Sequence, residues 1–291
     1  MSEKHLLTEK EINAIRKEIF KYNSKVVIPR GVMTYLMEKD LNVSTKGKIL
    51  YSYIGIILCY FNAYYTYRKH HMNLNNILDV MNIGWSKIIR KEFTKNGYFE
   101  KEGYITHQNY FPVHFEISTT TTTTGRTVKF PKFINSKELS KEELTERGVN
   151  WENRYMNCIE PTLHVVGKRK KKGRGYQYIQ KPLNIEPSNY ITISLETISK
   201  VLEGKLSEGT LFYLCYLKHI SGNRNIVESN KFQTSIKSIS TGLNTTDMTA
   251  RKYHKELKQV VGEINYGLIQ RVRNVEGALS SKVYLKLNNN L

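Results

Sequence analysis

The sequence predicts an α+β fold built from two related helical units, on three observations. Residues 235–261 read as two helices broken by a tight turn, and residues 267–287 read as a β-hairpin. The same order of apolar positions recurs in the first half of the chain, which makes the repeat central to the fold class.

Ser235 to Leu243 (SIKSISTGL) has the length and apolar spacing of a short helix, with Ile236 and Ile239 inward. Gly242 and Asn244 tolerate left-handed backbone angles and so leave a helix easily. Thr245 or Thr246 then caps a second helix, with Asp247 in the first turn, where the dipole favours an anion. That helix, Thr246 to Val261, divides cleanly at helical period. Ala250, Tyr253, Leu257 and Val261 fall on one face, and Met248, Arg251, Lys252, Lys255 and Gln259 on the other. Gly267 to Arg273 alternates like a strand, Asn274-Val275-Glu276-Gly277 supplies turn chemistry, and Lys282 to Leu287 returns. A helix-turn-helix followed by a basic hairpin is a winged helix. Its second helix suits a major groove, and its wing suits phosphates. An ordinary amphipathic helix beside a surface hairpin is the alternative; order, spacing and charge together favour DNA.

Laying Ile28 (IPRGVMTYLME) over Ile193 (ISLETISKVLE) aligns Ile28, Met33, Leu36-Met37 and Glu38 with Ile193, Ile198, Val201-Leu202 and Glu203. Both copies continue into a serine-started helix, at Ser44 and at Ser207. In the first copy a short helix follows, Leu74 to Met81, with a break at Asn82-Ile83-Gly84. A two-faced helix, Trp85 to Asn96, comes next. Trp85, Ile88, Ile89 and Phe93 are expected inward, and Lys87, Arg90, Lys91 and Thr94 outward. Gly97 and Gly103 flank an expected strand and turn, with Tyr110 to Ile117 as the returning strand.

The chain carries 45 Lys and Arg against 26 Asp and Glu, a formal net charge of +19, within 291 residues that are 40% apolar. That composition supports real cores and implies a polyanionic partner, nucleic acid or an acidic membrane. The first twenty residues are charged throughout, so no secretory signal is expected, and the longest apolar run, around Tyr53 to Phe61, is too short for a bilayer. Cys59, Cys158 and Cys215 are scattered and odd in number, which points to a reducing compartment.

Leu6 to Tyr22 reads as a separate amphipathic helix, with Thr8 and Glu11 as a capping box and Ile12, Ile15 and Ile19 as its stripe. Between the two units, Thr119 to Thr124 suits either a linker or a long wing, because threonine is β-branched. Glu138 to Arg147 is polar with a helical bias and is expected to be solvated. Gly167 to Gly175 gathers Lys168, Arg169, Lys170, Lys171, Lys172 and Arg174 between Leu163–Val166 and Tyr176–Ile179, two strand-like flanks. Such a hairpin tip releases counterions from phosphate without reading sequence.

Enzyme signals are weak. No GxxxxGK[ST] loop exists, no Cys or His pair has zinc spacing, and His70-His71, beside Arg68 and Lys69, read as surface residues. Tyr98-Phe99-Glu100-Lys101 fits the YxxK spacing of rolling-circle nicking enzymes, but their His-hydrophobic-His metal motif is absent. With 20 tyrosines, one YxxK arises by chance.

Residues Tyr190 to Leu217 (YITISLETISKVLEGKLSEGTLFYLCYL) resemble the opening of winged-helix replication initiators of Gram-positive plasmids and phages. In those proteins an extended apolar strand precedes a Leu-Ser helix start and a helix ending in aromatics, here Leu206-Ser207 and Phe212, Tyr213 and Tyr216. The second half of the chain carries the resemblance well and the first half loosely. The long basic insert lies outside the family pattern. The resemblance implies two winged-helix domains acting on repeated origin sites.

The expected organisation is an amphipathic helix over residues 1–24, a first winged helix-turn-helix domain over 25–117, a basic, partly β insert over 118–189 and a second winged domain over 190–291. The expected DNA-binding residues are Lys87, Arg90, Lys91 and Thr94; the six basic residues of the tip; Thr246, Met248, Arg251, Lys252, Lys255 and Gln259; and Arg271, Arg273 and Lys282. No catalytic residue, metal site or cofactor is expected. The function expected is sequence-specific binding of double-stranded DNA in the cytoplasm, at repeated sites of a plasmid or phage origin, with host replication proteins as further partners and no membrane. A winged-helix transcriptional regulator is the alternative, and a nicking or recombining enzyme the third reading.

Overall fold

The computed structural model describes residues 6–22, 25–63, 65–70, 72–84, 86–121, 127–162, 164–170, 176–182, 190–221, 231–261, 269–273 and 279–286. In chain order the elements are α1 (Glu9–Tyr22), β1 (Lys25–Pro29), α2 (Arg30–Glu38), α3 (Val43–Phe61), α4 (Leu74–Val80), α5 (Lys87–Phe93) and α6 (Tyr98–Lys101). There follow β2 (Ile105–Gln108), β3 (Pro112–Thr121), β4 (Thr127–Asn135), α7 (Lys141–Glu146), β5 (Cys158–Pro161), β6 (His164–Lys170) and β7 (Tyr176–Pro182). The last third holds β8 (Tyr190–Ser194), α8 (Leu195–Leu202), α9 (Glu208–Ser221), β9 (Lys231–Thr234), α10 (Ile236–Gly242), α11 (Asp247–Val261), β10 (Ile269–Arg273) and β11 (Leu279–Lys286).

The fold is α+β, with small sheets beside helical cores. Strands β10, β11 and β9 form a three-stranded sheet in that order, and β1-β8, β2-β5, β3-β4 and β6-β7 form two-stranded ones. The chain groups into two compact units, neither continuous in sequence: Met1–Asn23 with Ser52–Tyr190, and Ser24–Tyr51 with Ile191–Leu291.

In the second of these units, the two copies of the strand-helix motif bury equivalent positions. Ile28, Met33 and Leu36 in β1 and α2, and Ile193, Ile198 and Val201 in β8 and α8, are all buried. Helix α9 is apolar nearly all round and is buried continuously from Gly209 to Leu217, as a helix with no polar face must be. Gly47, on the part of α3 belonging to this unit, faces the carbonyl of Glu208 so closely that a Cβ would collide with it. Glycine here permits backbone-to-backbone approach. Several basic residues turn inward: Arg30 Nη1 donates to the His219 carbonyl at 2.6 Å, Lys46 Nζ to Met37 O at 3.2 Å and Lys218 Nζ to Thr192 O at 2.7 Å. Burial lowers the pKa of Lys218 to about 8.

In the other unit, Thr8 and Glu11 cap α1 reciprocally and Ile15 and Ile19 are buried, as the stripe requires; Ile12 is half-buried. Arg16 Nε donates to the Val80 carbonyl at 2.7 Å and ties α1 to the end of α4. Tyr53, Phe93 and Phe99 form an aromatic cluster, with Phe99 4.5 Å from Phe93 and 5.3 Å from Tyr53 between ring centroids.

Several expectations for this region are corrected. The two-faced helix stops at Phe93, because Thr94 takes extended angles and Asn96 a positive φ of 62°. Its buried positions are Ile89, Glu92 and Phe93, so Ile88 lies off the stripe and is 42% exposed. Trp85 lies outside the described residues. Instead of a strand between Gly97 and Gly103 there is helix α6. The Glu100 carboxylate fixes that helix by accepting the N–H groups of Asn96 and His107 at 2.6 and 2.9 Å, and Phe99 is buried beneath it. Residues 112–117 do not return beside β2. They begin β3, which pairs with β4, while β2 pairs with β5 through Ile105↔Pro161 to Gln108↔Cys158. The paired strands β2 and β5 are therefore separated in sequence by a long intervening segment. Thr119 to Thr121 extend β3 to Thr121↔Thr127, so this part of the threonine tract is strand, and Thr122 to Thr124 lie outside the described residues.

Within the insertion, Ser140 and Glu143 form a capping box for α7, and Leu144 and Val149 are buried. The polar segment is therefore anchored by Leu144 instead of being wholly solvated. His70 is also less exposed than expected. Its side chain is 15% exposed and its Nδ1 lies 3.6 Å from Glu11. His71 lies outside the described residues.

Candidate nucleic-acid interface

The candidate site is built on the pair α10 and α11. Ser235 caps α10, its Oγ accepting the Ser238 N–H at 3.0 Å. Ile239 and Leu243 are buried, Ile236 is half-buried, and Gly242 abuts the Tyr216 hydroxyl where a Cβ would collide. Asn244 then takes φ 52° and reverses the chain. Thr246 Oγ1 accepts the Thr249 N–H at 3.2 Å and starts α11. Ser240 Oγ donates to the Asp247 carboxylate, locking the turn from both sides.

The inner face of α11 packs through Ala250 and Leu257, both fully buried, and through His254. The Tyr213 hydroxyl lies 3.1 Å from His254 Nδ1. Gly209 lets the Tyr253 ring lie against α9, with ring atoms 2.8 Å from where a Cβ would stand. Burial, followed by the charges of Lys258 and Arg251, lowers the pKa of His254 to about 4, so the ring is neutral at pH 7. Glu256 accepts the Ser207 N–H at 2.5 Å and the Thr210 hydroxyl at 2.7 Å, at the start of α9.

Charge is thus sorted along α11. Its two acids, Asp247 and Glu256, accept hydrogen bonds from α10 and α9, Asp247 staying exposed and Glu256 half-buried, while Arg251, Lys252, Lys255 and Gln259 are exposed. Thr246 is exposed too, and Met248 is 80% exposed at the start of the helix. The five residues expected on the outward face, Met248, Arg251, Lys252, Lys255 and Gln259, are exposed. The side chain of Val261 lies outside the description.

In the other unit, Asn73 caps α4, Oδ1 accepting the Asn76 N–H at 2.9 Å, and Asn82 (φ 55°) breaks the chain before α5. Lys87, Arg90 and Lys91 are exposed and the acid Glu92 is buried, the same sorting on a shorter helix. Thr94 is not on the outward face; it is the half-buried residue that ends α5.

The basic run is placed by register. Lys168, Arg169 and Lys170 lie within β6, opposite Tyr178, Gln177 and Tyr176 of β7, so the strand reaches further into the run than expected. Lys171, Lys172 and Arg174 lie outside the described residues. In the last hairpin Arg271 faces Ser281, Arg273 faces Leu279 and Lys282 faces Gln270; its turn residues Asn274 to Gly277 lie outside the described residues. Strand β11 also pairs with β9, through Val283↔Thr234 to Lys286↔Lys231. That strand between α9 and α10 has no signal in the sequence pattern, and neither do the anchoring roles of Glu256 and Gly47.

Among the described residues no group of His, Cys, Asp or Glu has the arrangement of a metal site, and no helix is long and apolar enough to cross a membrane. Tyr98 is 45% exposed, with Lys101 Nζ 5.9 Å from its ring. The three cysteine thiols are buried, and burial raises the pKa of each. No known protein family, curated protein or solved structure matches this chain.

Proposed function

We propose that the protein binds double-stranded DNA sequence-specifically through two winged helix-turn-helix units, with α11 and α5 as the groove-facing helices, and that it marks the replication origin of a plasmid or phage. The observation that carries this reading is the sorting of charge on α11. A helix whose two acids accept hydrogen bonds from neighbouring elements presents Arg251, Lys252, Lys255 and Gln259 to a partner. Arginine, lysine and glutamine are residue types that read base edges, and a helix fits the major groove. The order helix, strand, two helices and hairpin, with β11 between β10 and β9, supports a winged arrangement for the second copy. The shorter α5 repeats the sorting, which favours a DNA site made of two adjacent segments.

The reading requires no chemistry by the protein itself; strand opening falls to recruited host replication proteins. The test is selection of bound sequences from random duplex DNA, followed by footprinting with the full chain. Two adjacent protected segments recurring as direct repeats are expected. A single palindromic site would instead make the protein an operator-binding regulator, and failure to enrich any sequence would refute specific binding.

A further inference from the structure

Beside α5, in the same unit, the chain forms a cleft of about 600 Å³ bounded by residues before and within α4, the end of α5, and strands β2 and β5. This volume is in the range of small-molecule sites. Its apolar lining is the half-buried Leu74 together with Met72, Phe93 and Ile159, which are buried. Arg90 and Lys95, both exposed, bring two cations to its lining, and among the described residues no carboxylate lines it.

Five amides line the cleft, Asn73, Asn75, Gln108, Asn109 and Asn157, and two of them are half-committed, which fixes what those two still offer. Asn73 uses Oδ1 to cap α4, leaving its NH₂ as a donor. Gln108 donates Nε2 to Glu160 at 3.3 Å, leaving its carbonyl as an acceptor. His107, also on the lining, is held through Nδ1 at 3.0 Å from Glu100. The remaining donor of Asn73 and the remaining acceptor of Gln108 complement an edge that carries both an acceptor and a donor, as the N7/N6 edge of adenine does.

We propose that this cleft is a nucleotide site, in which Arg90 and Lys95 take the phosphate and the base lies against the apolar lining at Leu74 with its edge toward Asn73 and Gln108. The same chemistry is supplied by a free nucleoside phosphate or by one nucleotide extruded from a bound strand. The free-ligand form stands independently of the DNA-binding reading.

The test uses the full chain and calorimetric titration with each of the four nucleoside 5′-monophosphates, with adenosine and inorganic phosphate as partial ligands. One-site binding of at least one nucleotide is expected, tenfold or more tighter than either partial ligand. Lys95→Ala, at an exposed position, should weaken it at least tenfold while circular dichroism stays unchanged. A second arm places 2-aminopurine through the selected duplex. A fluorescence rise on binding that Lys95→Ala abolishes, with no binding of free nucleotides, assigns the nucleotide to DNA. The proposal is overturned if neither arm responds, if phosphate binds as tightly as the nucleotide, or if Lys95→Ala changes neither signal. Mobility shifts run in parallel report DNA binding separately, so loss of one reading does not decide the other.

Discussion

Glu256 of α11 accepts both the backbone N–H of Ser207, at 2.5 Å, and its hydroxyl, at 3.0 Å. Ser207 precedes α9, where N–H groups have no intrahelical acceptor, and its own Oγ accepts the Thr210 N–H at 3.2 Å. One carboxylate on the outer helix therefore completes the start of the buried one, and by doing so is withdrawn from the face that carries Arg251 and Lys255.

Replacing Glu256 with alanine leaves the Ser207 and Thr210 donors without this acceptor. A loss of roughly 1–3 kcal/mol in urea unfolding is expected, as for a charged hydrogen-bond partner removed from a part-buried site. Glu256→Gln keeps an acceptor and should fall between. Unchanged stability of the alanine variant would show that water replaces the carboxylate at no cost.

His254 gives a pH dependence with a defined sign. Its pKa is lowered to about 4 in the folded chain by burial, Lys258 and Arg251, against about 6.5 when unfolded. Between those values the unfolded chain binds the extra proton, so the contribution is fully present above about pH 6.5 and is lost as pH falls toward 4. Burial and Arg30 lower the pKa of His219 and add to the same trend. Thermal midpoints should fall across this window, and His254→Gln should flatten the decline. An identical profile in the variant would mean that His254 does not take up a proton on unfolding.

The helical repeat was legible because burial obeys helical period: Ile28, Met33 and Leu36 and their counterparts Ile193, Ile198 and Val201 are core in both copies. The outward face of α11 was legible for the same reason. Strand partners were not. Alternation over 112–117 marks a strand but says nothing of which strand it meets, and β2 finds its partner only at Cys158–Pro161. Short helices were also misplaced, since α5 and α6 are ended and begun by Asn96 and Glu100, through hydrogen bonds that no periodicity reveals. The cleft depends on residues from distant segments, Asn73, Lys95 and Ile159 among them, and left no local pattern.

Gly47 tests the packing of α3 against α9 within one unit. A Cβ there meets the Glu208 carbonyl, which is backbone and cannot rotate away. Gly47→Ala should destabilise the chain by about 1–3 kcal/mol or more, despite the better helix propensity of alanine. Gly84→Ala, where a Cβ meets nothing within 4 Å, is the control. Equal stability of the two variants would show that the helices separate freely.

The basic strand is expected to act through charge alone. Changing Lys168, Arg169 and Lys170 to glutamine should weaken binding to specific and random duplexes alike. It should also lower the slope of log affinity against log salt by roughly 0.9 for each phosphate that is no longer neutralised. An unchanged slope would remove β6 from the interface. A loss confined to the selected sequence would instead give this strand a part in reading bases.

Arg251 is the sharpest test of the groove-facing assignment, because it stands outward on α11 while its neighbours Ala250 and His254 are core. Its removal leaves the packed face intact, so Arg251→Ala should keep the thermal midpoint of the parent. If the guanidinium reads a guanine edge, affinity for the selected site falls by about 1–3 kcal/mol and one base position loses its preference. Random duplex should be affected far less. Binding measured at one fixed salt concentration, on the selected site, on its single-base variants and on random duplex, separates the two roles. An equal loss on all of them would make Arg251 a phosphate contact and move the reading of sequence to Lys252, Lys255 or Gln259.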